Sequence, residues 1–329
     1  MADIARLAGV SVATVSRAMA GSSLVSQENK ERVASAVRQT GYVVNQVARG
    51  LRLQRSGLVL VMVPSIANPF FAHVLLGIEE ALQEAGFGML VANTGDDHAR
   101  EDVLARSMLT GGKTEGLILL TGHCPDSLRD EPQAKGRIVA VSEEIAGQGI
   151  PSVTIDNAAA MREATAHLIG LGHRRIAHLA GPAGNGLTVQ RLAGFHAAMR
   201  EAGLPVPRGM VGGGAFTIQA GEEGMSRLLA RQAPPTAVVC ANDEIAIGAI
   251  KAARERGIPV PAGMSVVGFD DIDVARAVHP GLTTIRQPRQ DLGREAARML
   301  LALLAGEAVV RNLCLPTQMI LRASTAPPS

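Results

Sequence analysis

Asp3-Ile4-Ala5-Arg6-Leu7-Ala8-Gly9-Val10-Ser11-Val12-Ala13-Thr14-Val15-Ser16-Arg17 decides how the rest of the chain is read. Ile4, Leu7 and Ala8 recur at i, i+3 and i+4, which predicts a short helix with one apolar face that stops at Gly9. Val10 reads as a core residue of the turn. Ser11 is placed to cap a second helix with Val15 and Met19 on its inner face and Gly21 at its end. Ser26 can cap a third, with Glu28 in its first turn, Val33 and Val37 one turn apart and Gly41 beyond it. Two short helices joined by Ala8-Gly9-Val10-Ser11 make a helix-turn-helix, whose second helix enters the major groove of DNA with its first residues against base edges. The alternative is a three-helix cap with merely solvated cations. A reading helix needs small and hydroxylated residues at its exposed start and a cation further along, as Val12, Ala13, Thr14, Ser16 and Arg17 provide.

Charge is distributed to match. In the first 55 residues Arg6, Arg17, Lys30, Arg32, Arg38, Arg49, Arg52 and Arg55 face only Asp3, Glu28 and Glu31, a net +5 in a chain whose total is +2, so the remainder is net negative. A cationic end suits the phosphate backbone of DNA, whose neutralisation supplies most sequence-independent affinity. With 329 residues, 47% of them apolar, the chain exceeds what one core serves and is expected to form two or three folding units. Its longest apolar runs, such as residues 58–63 and 117–120, are far too short to span a membrane, and the start lacks the cationic-then-apolar layout of a secretory signal. Cys124, Cys240 and Cys314 are odd in number and far apart, which suits a reducing compartment. A cytoplasmic protein with no membrane partner is expected.

The stretch from Asp3 to Arg17 closely resembles the opening of lactose-repressor (LacI/GalR) family transcription regulators. The resemblance implies that Ser11, Val12, Ala13, Thr14, Ser16 and Arg17 meet DNA, the residues matching Val12 and Ala13 choosing the operator sequence. Val12 and Ala13 offer only apolar contact, suited to a thymine methyl, which leaves hydrogen-bonded readout to Thr14 and Arg17. Family members carry a few more residues, often a capping Thr, before the position of Asp3. Either the true start lies upstream or the first helix is poorly capped, a loss of roughly 1 kcal/mol.

The resemblance continues through Val43-Val44-Asn45-Gln46-Val47-Ala48-Arg49-Gly50-Leu51-Arg52. In the family this stretch forms a short helix only on operator DNA, pairs with its copy across a dimer axis and wedges a leucine into the minor groove. Leu51 matches the wedge; an apolar side chain between base steps unstacks them and kinks the duplex. Asn45 can cap such a helix, with Val47, Ala48 and Leu51 on its inner face. Asn45, Ala48 and Leu51 are therefore expected at DNA. An ordinary basic linker is the alternative, since Gly50 costs about 1 kcal/mol of helix propensity and so short a helix is unstable alone.

From Leu58 onward, short apolar runs alternate with helical stretches. Residues 58–63, 88–92, 116–120, 137–141 and 152–155 form one set of strands, and residues 175–180, 210–212, 237–241 and 265–269 a second. Continuous apolar strands separated by helices predict parallel sheets covered on both faces, here two doubly wound halves. Ligands in such sheets bind beyond the carboxyl ends of the strands. Four of the six Phe, Phe70, Phe71, Phe216 and Phe269, lie at or just after strands, in a chain with no Trp and one Tyr. A cleft role explains that placement better than core filling does. Polar partners sit at equivalent ends: Asp156 and Asn157, Asn242 and Asp243, Asp270 and Asp271. Singly, each Asp could be a helix cap and Arg191 a surface ion pair.

Motifs of the same family recur along this body, at residues 68–71, 172–177, 181–182, 191–195, 241–243 and 267–271. What the resemblance implies is an α/β fold: an N-terminal helix-turn-helix DNA-binding domain (1–44), a hinge (45–56) and a two-lobed periplasmic-binding-protein-like effector and dimerisation domain (57–329). Lobe 1 would hold about residues 57–157 and 289–315, lobe 2 about 158–286 and 316–325. Arg191, Asn242 and Asp270 would bind a small-molecule effector with Asp156, Phe70, Phe71 and Phe216 around it, and Gln287, before Pro288, would sit at the third crossover between lobes. No apolar heptad follows Arg322, so a homodimer is expected.

Gly112-Lys113-Thr114 imitates the end of a phosphate loop but lacks the upstream Gly, Ser107 standing there, and precedes a strand when it should follow one. No nucleophile elbow, zinc-protease helix or paired Cys-x-x-Cys is found, and the eight His are scattered. Neither an enzyme nor a cofactor or metal is expected. The expected function is a sequence-specific transcriptional regulator, a repressor, controlled by a sugar-like metabolite. The alternative is a sugar-binding transport protein of the same two-lobed fold, which the basic helix-turn-helix and the missing signal oppose.

Overall fold

The computed structural model describes residues 1–19, 22–40, 56–145 and 147–328. It separates into two units, residues 1–56 and 57–329.

The first unit holds α1 (Ala2–Ala8), α2 (Val12–Met19) and α3 (Gln27–Thr40). Gly9 ends α1 in the left-handed region at φ 62°, a conformation glycine adopts without a Cβ penalty. Ser11 Oγ accepts from Thr14 N at 3.1 Å and Ser26 Oγ from Asn29 N at 3.4 Å, so both serines cap as the spacing predicts. No side chain caps α1. Ile4, Ala5, Ala8, Val15, Val33 and Ala36 form the core, with Val10, Met19 and Val37 packed against it. Leu7 is a correction: it is 55% exposed, and Ala5 takes the inner position beside Ile4 and Ala8. Gly21, Gly41, Asn45, Ala48 and Leu51 lie outside the described residues.

The second unit is built on two six-stranded sheets. β1 (Leu58–Val63), β2 (Gly88–Asn93), β3 (Gly116–Leu119), β4 (Ile138–Val141), β5 (Ser152–Ile155) and β11 (Asn312–Leu315) form sheet 1 in the order β11-β5-β4-β3-β1-β2. Every pairing in it is parallel. β6 (Ile176–Ala180), β7 (Val211–Gly213), β8 (Ala237–Cys240), β9 (Ser265–Asp270), β10 (Thr283–Arg286) and β12 (Gln318–Ile320) form sheet 2 in the order β12-β10-β9-β8-β6-β7. Only the β10–β12 pair is antiparallel. The strand order reverses between β1 and β3 and between β6 and β8, so each sheet has a switch point where the loops diverge and a crevice opens. The doubly wound reading therefore holds, with β10, β11 and β12 added to the expected strands. The chain passes between sheets three times, at residues 155–157, 286–289 and 315–318, and Gln287 lies at the second of these in chain order, not the third.

Helices α4 (Pro69–Glu84), α5 (His98–Ala105), α6 (Asn157–Gly170), α7 (Gly186–Glu201), α8 (Ile218–Leu229), α9 (Asp243–Glu255) and α10 (Arg289–Leu304) complete the unit. α4 meets α10 through a reciprocal pair of glycines: a Cβ on Gly77 would strike the Gln290 carbonyl, and one on Gly293 the Val74 carbonyl. α8 meets α9 in the same way through Gly221 and Gly248. Backbone cannot yield as a flexible side chain can. Gly293→Ala is therefore expected to destabilise the body by about 1–3 kcal/mol, read as a lowered thermal midpoint; an unchanged midpoint would show that the α4–α10 contact is looser than described.

Candidate functional site

On the first unit, the start of α2 presents Ser11, Val12, Ala13 and Arg17 to solvent, with Thr14 and Ser16 half-buried. Val12 is 48% exposed and so available for an apolar base contact. The Ser11 and Thr14 hydroxyls lie 2.9 Å apart, so part of their hydrogen-bonding capacity is spent on the helix start. Arg17 stands in the last turn.

On the second unit, a cavity of about 640 Å³ opens beyond the carboxyl ends of both sheets, within the range of small-molecule sites. Every contributing segment follows a strand. Ser65 follows β1, Asp96 and His98 follow β2, Thr121 and His123 follow β3, and Ser142 and Glu143 follow β4. From sheet 2 come Asn185 after β6, Phe216 after β7, Asn242 and Glu244 after β8, Asp270 at the end of β9 and Gln287 after β10. Phe70 and Phe71, in the first turn of α4, join the wall with their rings edge to face at 5.2 Å.

Arg191, buried on α7, is the fixed point of this cavity. Its Nε donates to Asn157 Oδ1 at 2.9 Å and its Nη1 to the Ala241 carbonyl at 2.6 Å. The guanidinium lies 3.9 Å above the centre of the Phe269 ring, a cation–π contact. Nη1 is also 3.9 Å from Asp270 Oδ1, an oxygen that accepts from Gln287 Nε2 at 2.7 Å. Burial pushes the Asp270 carboxyl up to about 6, with Arg191 opposing. Asp243 lies deeper, accepting from Thr284 Oγ1 at 2.6 Å and Ile272 N at 2.8 Å, and burial beside Asp270 holds its carboxyl well above the usual range. Burial raises Glu143, and burial with Asp270 nearby raises Glu244 to about 7. Asn242 Oδ1 accepts from Ile245 N to cap α9, leaving its amide nitrogen for a ligand.

Of the four non-glycine residues with positive φ among the described residues, Asp96, Ser142 and Asp270 line the cavity, and Asp271 adjoins it. Strain of this kind gathers where a backbone is bent to present a group. Ser142 Oγ and Thr121 Oγ1 are buried without a hydrogen-bond partner among the described residues, as befits atoms that a ligand would satisfy.

The structure thus gathers Phe70, Phe71, Arg191, Phe216, Asn242, Asp270 and Gln287 around one space. Two expectations need correction. Asp156 does not line the cavity: it is exposed, and its carboxylate accepts from Ala159 N at 2.8 Å to cap α6, while Asn157 turns inward to Arg191. Phe269 is fully buried beneath Arg191, supporting the cavity without facing it. Glu143, Glu244, His98 and His123 were not anticipated. Each belongs to no recognisable motif, and the available signal was its position past an apolar run.

Comparison with known proteins covers both units. Residues 1–45 match the family described as bacterial regulatory proteins, lacI family, and residues 165–325 match the periplasmic binding protein-like domain. The HTH-type transcriptional repressor CytR of Escherichia coli (strain K12) is 36% identical over 327 residues, covering 99% of this chain and 96% of the relative. Among solved structures, a complex of the transcriptional regulator CelR with cellobiose matches with a TM-score of 0.73 and 33% identity over 98% of each chain. The lac repressor dimer bound to operator and the anti-inducer ONPF matches with a TM-score of 0.89 and 29% identity, again over 98% of each chain.

Proposed function

The chain belongs to the LacI family of bacterial regulatory proteins and is a DNA-binding transcriptional regulator, and on that premise we propose that its cleft binds an uncharged sugar or sugar derivative whose occupancy sets the protein's affinity for operator DNA. The observation that carries this reading is the composition of the cavity. Arg191 and the Asn242 amide donate, Asp270, Glu143, Glu244 and Asp96 accept hydroxyl hydrogens, and Phe70, Phe71 and Phe216 supply flat apolar walls. Four carboxyl groups beside one guanidinium and two imidazoles favour a ligand rich in hydroxyls over a phosphorylated or acidic one.

The cleft also has the means to couple its two walls. Contacts that join the sheet 1 half to the sheet 2 half include Asn185 Nδ2 donating to Glu143 Oε1 at 3.3 Å in the cavity, and, outside it, His73 Nε2 to Asp273 Oδ2 at 3.1 Å and Arg289 Nη2 donating to the Asp271 carbonyl at 2.8 Å. A ligand that binds both walls changes their relative angle about the three crossings, and with it the separation of the paired segments 45–56 in a homodimer. Asn45, Ala48 and Leu51 in those segments, and Ser11, Val12, Ala13, Thr14, Ser16 and Arg17 on α2, are the proposed DNA contacts. The protein acts in the cytoplasm as a repressor, and the cleft binds without turnover. Among the described residues no helix is long and apolar enough to cross a membrane.

Footprinting of genomic promoter fragments with the purified full chain, with and without a panel of uncharged sugars, tests the reading. A pseudo-palindromic protected site whose occupancy one sugar alters is the expected outcome. Protection that no sugar changes would leave a DNA-binding protein with an unrelated cavity.

A further inference from the structure

A second corner of the cavity, lined by two histidines, stands apart from Arg191 on the sheet 1 side. His123 Nδ1 lies 3.0 Å from Glu101 Oε2, and Glu101, on α5, is only 1% exposed. Neither Glu101 oxygen makes an aligned hydrogen bond among the described residues, so the imidazole is the group that compensates a carboxylate removed from water. His98, the first residue of α5, stacks on His123 with 3.8 Å between ring centres and 16° between planes, which fixes the orientation of the ring. Both histidines line the cavity. With Nδ1 buried against Glu101, Nε2 is the nitrogen His123 can turn to a ligand.

We propose that His123 is a specificity-determining contact of the cleft, its Nε2–H donating to a neutral acceptor oxygen of an uncharged sugar, and that Glu101 is the positioning residue that holds the ring in place for that contact. The idea rests on the sugar-effector reading of the cavity. A neutral acceptor fits the four carboxyl groups Asp96, Glu143, Glu244 and Asp270, which line the same space and, where ionised, repel a phosphate or carboxylate. The groups facing His123 are Glu101 and His98 from α5 and Asp126 and Arg129 from the segment after β3. Glu101 is the largest influence and Asp126 adds to it, while burial and Arg129 oppose; the outcome is an imidazole pKa above its usual value. The contribution of His123 to sugar affinity is then full below that raised pKa and is lost as pH rises through it. Glu244 and Asp270 titrate in a neighbouring range, but they are common to every variant, so the His123–Glu101 pair is read from differences between proteins.

The test uses the full chain. Histidine-labelled NMR of the ligand-free protein is expected to show His123 titrating above an exposed imidazole, and lower in Glu101→Gln. Calorimetry with uncharged pentoses, hexoses and disaccharides, ribose and cellobiose among them, is expected to find roughly tenfold weaker binding of the tightest sugar in His123→Ala. The extra affinity at about pH 6 over about pH 8 should shrink in Glu101→Gln and return in Glu101→Asp. The double variant Glu101→Gln with His123→Gln leaves no buried charge at this corner and serves as the folded control. An unshifted His123 in the NMR titration, or undiminished sugar affinity in His123→Ala and the double variant, overturns the proposal. Sugar binding by none of the proteins overturns the effector reading beneath it, while the NMR titration still judges the pair itself.

Discussion

Arg191→Ala is expected to abolish the response of operator binding to sugar and to destabilise residues 57–329 by about 3–5 kcal/mol, the usual consequence of removing one member of a buried charged network. Four contacts disappear at once: those to Asn157, the Ala241 carbonyl, Asp270 and the face of Phe269. The Asp270 carboxyl, already raised to about 6, loses the cation that opposes its burial and moves higher still. Because a raised carboxyl pKa means that the folded protein binds protons more tightly than the unfolded one, the variant's stability deficit should widen as pH rises through and beyond that value. Chemical denaturation at several pH values and sugar calorimetry check both halves. Wild-type sugar affinity in this variant would remove Arg191 from the site.

Arg17→Ala should weaken binding to the cognate operator by about 1–3 kcal/mol, roughly tenfold to a hundredfold, while binding to random duplex falls much less. The distinction separates base readout from phosphate contact. A cation that only neutralises phosphate would weaken both duplexes alike and lower the salt slope by about one. Titrations at several salt concentrations with both duplexes resolve the two roles. Equal losses on both would place Arg17 on the backbone and leave the sequence choice to Val12, Ala13 and Thr14.

Much of this architecture was legible because strand burial writes itself as apolar runs. Residues 59–63 and 265–269 are buried on both faces and could be little else. β10, β11 and β12 were not legible for the opposite reason. β10 is half threonine, and β11 and β12 are short sheet edges with no fully buried residue, so neither writes a buried apolar run. The caps at Ser11 and Ser26 were readable from local spacing, since they depend on residues three apart. The cleft was readable only as far as strand ends predict it. Asp156 and Asn157 follow β5 side by side, and which of them turns inward depends on Arg191, 34 residues further along the chain. Glu101 and His123 meet through tertiary packing between α5 and the loop after β3, and no sequence spacing announces such a pair.

All of these expectations depend on sugar in the cleft and operator on α2 being linked through one two-state element. The most direct test is fluorescence anisotropy of a footprinted operator duplex with the full chain, titrated with and without saturating sugar, alongside calorimetry of the same sugar with and without operator. Linkage requires both affinities to change by one common factor, about 5-fold to 150-fold for regulators of this kind. A sugar that binds the cleft tightly yet leaves the operator isotherm where it was would contradict the account.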